Sequence, residues 1–283
     1  MSNGTSTLRG KLVLVTGATS GIGLVASERL AQQGARLVLV GRDQAKGEMA
    51  LRRVGAEAVH YADLSNLTEV RRLGTELLDA YPRIDVLVNN GGALFTKFER
   101  TVDGIERTFA LNHLAYFLLT RLLLERLKAS GSSRIVIVAS EAHRGVGLDF
   151  DDLQNARDYD GWTAYRRSKL CNILFARELA RRLAGTGVTV NSLHPGFVDT
   201  EFGNNNRGLF RWGLAIAKRF AAISPDKGAQ TTVHLASSPE VAEVTGLYFD
   251  KCRPRTPNDA AQDNAAAKRL WEESARLTGI SSA

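Results

Sequence analysis

Short apolar runs alternate along the chain with longer stretches in which apolar residues recur at three- and four-residue spacing. Lys11 to Thr16 (Lys-Leu-Val-Leu-Val-Thr) is apolar almost throughout, the pattern of a strand covered on both faces of a parallel sheet. Similar runs at Ala35–Val40, Ala58–Tyr61, Ile84–Val88, Arg134–Ala139, Val188–Leu193 and Gly246–Phe249 predict further strands. Helical spacing predicts helices from the glycine turn after the first strand to near Gly34, over Asn66–Ala80, over Gly104–Ala129 and over Trp162–Leu183. Strand and helix alternate, so the expected fold is α/β: a doubly wound, parallel sheet of about seven strands with helices on both faces. No Pro- or Ser-rich linker and no internal repeat interrupts it, which predicts one domain over residues 10–283 behind a flexible tail at 1–9. Two long irregular segments, Ala142–Gly161 and Phe197–Phe220, should overhang the carboxyl edge of the sheet as substrate walls and lid. A short helix is expected within the tail from Lys251 to Ala283, which would close over the cleft or cover the sheet edge.

Chemistry-bearing residues gather at the predicted strand ends. The first strand runs into Gly17-Ala18-Thr19-Ser20-Gly21-Ile22-Gly23 and then a helix, an order that offers backbone N–H groups and a positive helix end to a phosphate. The alternative is a simple glycine turn. The second strand is followed by Gly41-Arg42-Asp43. The Arg42 guanidinium suits a phosphate, and Asp43 is best used as the N-cap of the next helix. After the third strand, Asp63, followed by Leu64, would accept a hydrogen bond from an adenine amino group or cap the following helix. Asn89-Asn90-Gly91-Gly92 suits either a ligand crevice or a tight turn. Asn112 interrupts the apolar pattern of its helix, so it is exposed by register or held by a partner. The fifth strand delivers Ser140, and the sixth delivers His194-Pro195-Gly196 and then Thr200. Tyr165 and Lys169 stand four apart on one helix face, where an ammonium would lower the phenol pKa toward a value useful for proton transfer.

Composition narrows the alternatives. The 37 basic residues against 30 acidic ones leave +7, but the basic residues are spread along helices without a tract or interleaved aromatics. That favours a solvated surface attractive to an anionic cofactor over a nucleic-acid interface. Cys171 and Cys252 are the only cysteines and have no metal-ligand spacing, so no metal is expected and a reducing cytoplasm fits. No run approaches the length of a membrane span, so no membrane anchor is expected.

Taken in order, Thr-Gly-x-x-x-Gly-Ile-Gly at 16–23, Asn-Asn-Gly-Gly at 89–92, Asn112, Ser140, Tyr165-x-x-x-Lys169 and Pro195-Gly196 resemble the short-chain dehydrogenase/reductase (SDR) family over about 11–249. Val-Gly-Arg-Asp at 40–43, Asn-His-Leu at 112–114, Phe-Leu-Leu-Thr at 117–120, Asp-Asp-Leu at 151–153 and the tail from Ala267 to Trp271 are similar to its retinol-dehydrogenase-like branch. Gly91 stands where the family usually has Ala, and no counterpart of the N-terminal hydrophobic anchor of membrane-bound relatives is expected. The resemblance implies a Rossmann-type domain and an enzyme interconverting alcohol and carbonyl. Tyr165 would be general acid/base, Lys169 would tune it and bind the nicotinamide ribose, Ser140 would orient the substrate oxygen, and Asn112 would hold a water in the proton path. The dinucleotide would be held by Gly17, Thr19, Ser20, Gly21, Ile22, Gly23, Arg42, Asp63, Leu64, Asn90, Gly91, Tyr165, Lys169, Pro195, Gly196, Val198 and Thr200. With Arg42 after the second strand, NADP(H) is expected over NAD(H). Phe197, Phe202, Leu209, Phe210 and Trp212 suggest a medium-to-large apolar substrate, or ordinary lid packing. Many relatives pair through the helices corresponding to 104–129 and 162–184, implying a homodimer, although packing on the sheet explains the same apolar residues. The competing readings are a cofactor-binding regulator and a double-bond reductase or epimerase built on the same residues.

Overall fold

Alternation along each strand sorts its side chains into two layers. In β1 (Leu12–Thr16), Leu12 and Leu14 enter one hydrophobic core while Val13 and Val15 enter the other. All five residues are buried, which explains why the run reads as continuously apolar. The structure is a computed structural model and describes residues 8–196 and 224–282. It adds β2 (Arg36–Gly41), β3 (Ala58–Tyr61), β4 (Val86–Asn89), β5 (Arg134–Val138), β6 (Thr189–His194), β7 (Tyr248–Asp250) and β8 (Arg253–Pro254). They form one eight-stranded sheet in the order β3-β2-β1-β4-β5-β6-β7-β8. The first seven are parallel; β8 is an antiparallel addition to the expected sheet, and its Pro254 is tolerated because the strand lies at the edge.

On one face lie α3 (Leu67–Ala80), α5 (Ala115–Ala129) and α6 (Gly161–Arg182); on the other, α1 (Gly21–Gln32), α2 (Gln44–Val54) and α7 (Pro225–Ser237), a helix that the apolar pattern did not single out. The expected helix over Gly104–Ala129 is corrected at its start. Gly104 has φ +74 in a turn, and Glu106 is the N-cap of α4 (Arg107–Phe109), its carboxylate accepting from the N–H groups of Thr108 and Phe109. A π-helical turn, Ala110–Leu114, then precedes α5. Gly161, expected at the end of the 142–161 loop, instead opens α6, which Asp160 caps. Between the short 3₁₀ turn Glu141–His143 and α6 the chain is irregular, as expected for a segment overhanging the carboxyl edge.

The C-terminal helix α8 (Asn264–Thr278) covers the apolar surfaces of α5 and α6 instead of the substrate cleft. Its Trp271 meets Phe117 of α5 at 5.0 Å and Phe175 of α6 at 6.0 Å between ring centroids. The Arg182 and Arg121 guanidiniums lie 4.3 and 5.1 Å from the indole. Ser274 of α8 hydrogen-bonds His113 Nε2 at 2.8 Å, and complete burial lowers that imidazole to about 3, so it is neutral. The aromatic face that the sequence offered either to the sheet or to a second copy is thus occupied by the chain's own tail.

Because β1 and β4 are neighbours on which the strand order turns, their carboxyl ends open a crevice. Gly17, at φ +62, approaches Gly91 so closely that a Cβ on it would stand 2.5 Å from the Gly91 Cα.

Truncation of the indole should be costly. Trp271→Ala is expected to lose about 3–5 kcal/mol of unfolding free energy in chemical denaturation, whereas Met49→Ala, at a side chain 56% exposed, should stay within about 0.5 kcal/mol.

Candidate active site

Three elements bring side chains together at the carboxyl end of β5. Ser140 follows the strand in extended conformation. Tyr165 and Lys169 come from the first turns of α6 and are 8% and 4% exposed, and Asn112 comes from the π turn. A hydrogen bond joins Tyr165 to Ser140. Lys169 Nζ donates to the Val138 carbonyl at 3.1 Å and lies 5.7 Å from the Tyr165 ring centroid and 5.9 Å from that of Tyr116. Trp162 stacks on the outer side of Tyr165 at 5.7 Å.

Asn112 is held, not exposed. Its Oδ1 accepts from Ala93 N, and its Nδ2 donates to Ala93 O and to Ser168 Oγ, each at 2.9 Å. The wider π turn carries this amide to the loop after β4 and to the α6 turn that bears Lys169. A Cβ on Gly92 would stand 3.1 Å from Asn112 Oδ1 and 3.3 Å from Lys169 Nζ, so that loop passes directly beside the ammonium.

Electrostatics correct one expectation. Lys169 was expected to draw the Tyr165 pKa down, but burial dominates in the protein by itself and pushes the phenol up to about 12, opposed by the hydrogen bond with Ser140. Burial also lowers Lys169 to about 8. The ammonium itself is directed at the Val138 carbonyl. Tyr116, fully buried nearby, is pushed up as well, and its hydroxyl finds no partner among the described residues.

Beside this group lies a cavity of about 740 Å³ along the crevice. Of the residues expected to hold a dinucleotide, Gly17, Arg42, Asp63, Leu64 and Gly91 line it. Arg42 is two-thirds exposed, with Nη1 3.9 Å from Asp63 Oδ2. Asp43 caps α2 by accepting from Lys46 N at 2.9 Å, as expected. Asn66, not Asp63, caps α3; Asp63 instead accepts from the N–H and hydroxyl of Ser65 at 3.0 and 2.7 Å. Its cap alternative is therefore excluded. Thr19, Ser20, Gly21, Ile22 and Gly23 form the turn and first residues of α1, whose N-cap Ser20 makes no side-chain capping bond. The helix start thus keeps N–H groups for an anion, which suits a phosphate. The Asn90 amide shapes the site without lining it, donating to the carbonyls of Thr16 and Gly17 at 3.0 and 3.2 Å.

Pro195 and Gly196 follow β6, adjacent to β5. Val198, Thr200 and the apolar residues Phe197, Phe202, Leu209, Phe210 and Trp212 lie outside the described residues. The sequence did not single out Phe95, Thr96, Lys97, Glu99 and Arg107 at the other end of the cavity, since nothing in a loop after a strand marks it as lining. Nor did it single out Tyr116, Trp162 or His143 as neighbours of the site.

Residues 11–208 match the family model described as short chain dehydrogenase. The chain is 42% identical to human retinol dehydrogenase 14, covering 96% of this chain and 88% of that protein. It is 41% identical to human retinol dehydrogenase 13, covering 97% and 86%. Among solved structures, an uncharacterised protein from Mycobacterium Paratuberculosis superposes with TM-score 0.80 at 33% identity over 97% of this chain and 96% of that one. A protein assigned as an NAD(P)-dependent gluconate 5-dehydrogenase from Beutenbergia cavernae, solved with NADP bound at low occupancy, gives TM-score 0.70 at 29% identity over 88% and 97%. The motifs, the sheet order and the converging Asn112, Ser140, Tyr165 and Lys169 agree with these likenesses: the chain belongs to the short-chain dehydrogenase/reductase family of oxidoreductases, in its retinol-dehydrogenase-like branch.

Proposed function

We propose that the protein is an NADP(H)-dependent oxidoreductase that interconverts an alcohol and a ketone or aldehyde on a medium-to-large apolar molecule. The observation that carries this reading is the Ser140–Tyr165 hydroxyl pair backed by the buried Lys169 ammonium, at the rim of a crevice with a glycine turn and an uncapped helix start. A nicotinamide dinucleotide, when bound, supplies or accepts the hydride. Gly17, Asp63, Leu64 and Gly91 are the residues that would lie along its adenosine half, and Arg42, which also lines the cavity, would take a 2′-phosphate.

The protein's own part is proton management and orientation. Ser140 and Tyr165 present two hydroxyls to one substrate oxygen. In reduction Tyr165 gives its proton to the developing alkoxide; in oxidation the phenolate takes it back. Lys169 favours the phenolate once its ammonium is turned toward the phenol, and Asn112 holds the backbone of Ala93 and the turn at Ser168 so that the ammonium stays placed. An apolar substrate agrees with the names of the retinol dehydrogenase relatives. The free thiols Cys171 and Cys252 support a cytoplasmic setting, and no helix among the described residues is long and apolar enough to cross a membrane. A homodimer would have to use surface other than the aromatic face already covered by α8.

Tyr165→Phe should lower kcat for NADPH-dependent reduction across an aldehyde, ketone and retinoid panel by about 10²–10⁴-fold, with NADPH binding retained; full turnover in the variant would remove Tyr165 as the acid. Because the phenol is raised to about 12 in the free protein, alcohol oxidation should accelerate as pH rises and carbonyl reduction should not. The initial-rate pH profiles in the two directions check the sign. Arg42→Ala should reduce the NADPH-over-NADH preference about 10- to 100-fold, the worth of a hydrogen bond to a charged group; an unchanged ratio of kcat/KM values would refute NADP(H) selection by this residue.

A further inference from the structure

The peptide group that follows Ser140 is gripped on both sides by histidines. Its carbonyl, Ser140 O, accepts from His143 Nδ1 at 2.7 Å and from His143 N at 3.2 Å. Its N–H, on Glu141, donates to His194 Nδ1 at 3.1 Å. A carbonyl can only accept and an N–H can only donate, so these partners assign the tautomers. His143 carries its proton on Nδ1, leaving Nε2 to accept from Asn258 N at 3.4 Å. His194 is bare at Nδ1, which also accepts from Gly196 N at 3.3 Å. Two neutral imidazoles of opposite tautomer therefore fix one peptide plane. The second of them ties the Ser140 turn to the turn after β6.

We propose that His143 and His194 are positioning residues that orient the Ser140 hydroxyl toward Tyr165 by clamping the 140–141 peptide, and that the clamp opens when His194 takes up a proton. This rests on the function proposed above. A protonated His194 would turn an N–H at Nδ1 toward two backbone N–H groups, and both hydrogen bonds would be lost. Burial holds both imidazoles below the ordinary value of 6.5. The charged and titratable groups facing His194 are Asp250 on the paired strand, Glu141, Arg255 and His143. The carboxylates favour protonation, and Arg255 and His143 oppose it. The carboxylates are themselves engaged: Arg255 lies 2.9 Å from Asp250 and 3.3 Å from Glu141, and Arg144 also pairs with Glu141 at 2.5 Å. The neutral state is therefore supported at neutral pH and lost as pH falls below 6.5 through the lowered value.

The test pairs a spectroscopic and a kinetic measurement on the full chain. Long-range nitrogen–proton NMR of ¹⁵N-histidine protein, with His143 and His194 assigned by single substitution, should find Nδ1–H on His143 and Nε2–H on His194 at neutral pH. His194→Asn keeps an acceptor oxygen close to the Nδ1 position but cannot titrate; it should retain carbonyl reduction at neutral pH and lose the wild-type acid limb in kcat for that direction. His194→Leu should lower kcat at least about ten-fold, as expected for a misplaced reacting group, with the KM for the carbonyl changed little. The same tautomer on both rings, a protonated His194 at neutral pH, an acid limb of carbonyl reduction persisting in His194→Asn, or wild-type kcat in His194→Leu would each overturn the clamp. A wild-type protein that turns over no carbonyl or alcohol with either cofactor would sink the proposed function instead, and the tautomer assignment would then decide the clamp alone.

Discussion

The burial of one ammonium governs the architecture around the site. Lys169 is almost removed from water, a change that costs several kcal/mol for an unpaired charge, and burial lowers its pKa to about 8. Its direct partner is a backbone carbonyl, Val138 O, with two tyrosine rings at nearly equal distance. Such a cation demands that β5, the first turns of α6 and the loop after β4 keep fixed relative positions, because a small separation would leave the charge without its acceptor. The elements that meet there are those that also deliver Ser140, Tyr165 and the glycines of the crevice. The buried charge and the proposed reaction centre therefore share one scaffold.

That scaffold works largely through main-chain groups. Asn112 uses three hydrogen bonds to fasten the Ala93 backbone and the Ser168 hydroxyl. Asn90 fastens the glycine turn through the carbonyls of Thr16 and Gly17. The two histidines fasten the peptide after Ser140. Side chains that hold backbone place a reacting group more rigidly than contacts between flexible side chains, since fewer rotatable bonds lie between anchor and target. The C-terminal helix extends the same scheme outward, with Ser274 reaching His113 beside Asn112 and Trp271 filling the space between α5 and α6.

The rim of the crevice presents a balance of charge. Arg42 is exposed and stands 3.9 Å from Asp63; a pair at that distance with two-thirds of the guanidinium in water is worth little. The arginine is therefore available to a stronger anionic partner at small cost. Asp63 keeps the serine turn closed whether or not Arg42 leaves it.

The hydrophobic pattern alone determined the layered fold and the parallel sheet, because Leu12–Val15 of β1 and Leu37–Val40 of β2 are buried on both faces and so apolar at every position. It also determined the pairing of Tyr165 with Lys169, since a four-residue spacing on a helix leaves no other geometry. The capping role of Asp43 was legible for the same kind of reason: its partner, Lys46 N, is three residues away. What lay beyond the sequence involved contacts between distant segments. Asn112 read as an anomaly until the π turn brought it to Ala93, nineteen residues earlier. The rise in the Tyr165 pKa could not be foreseen because burial is a property of the assembled core, and it outweighs the hydrogen bond with Ser140. Nor could the tautomers of His143 and His194, which are set by the two ends of a single peptide bond that only the folded chain places between them.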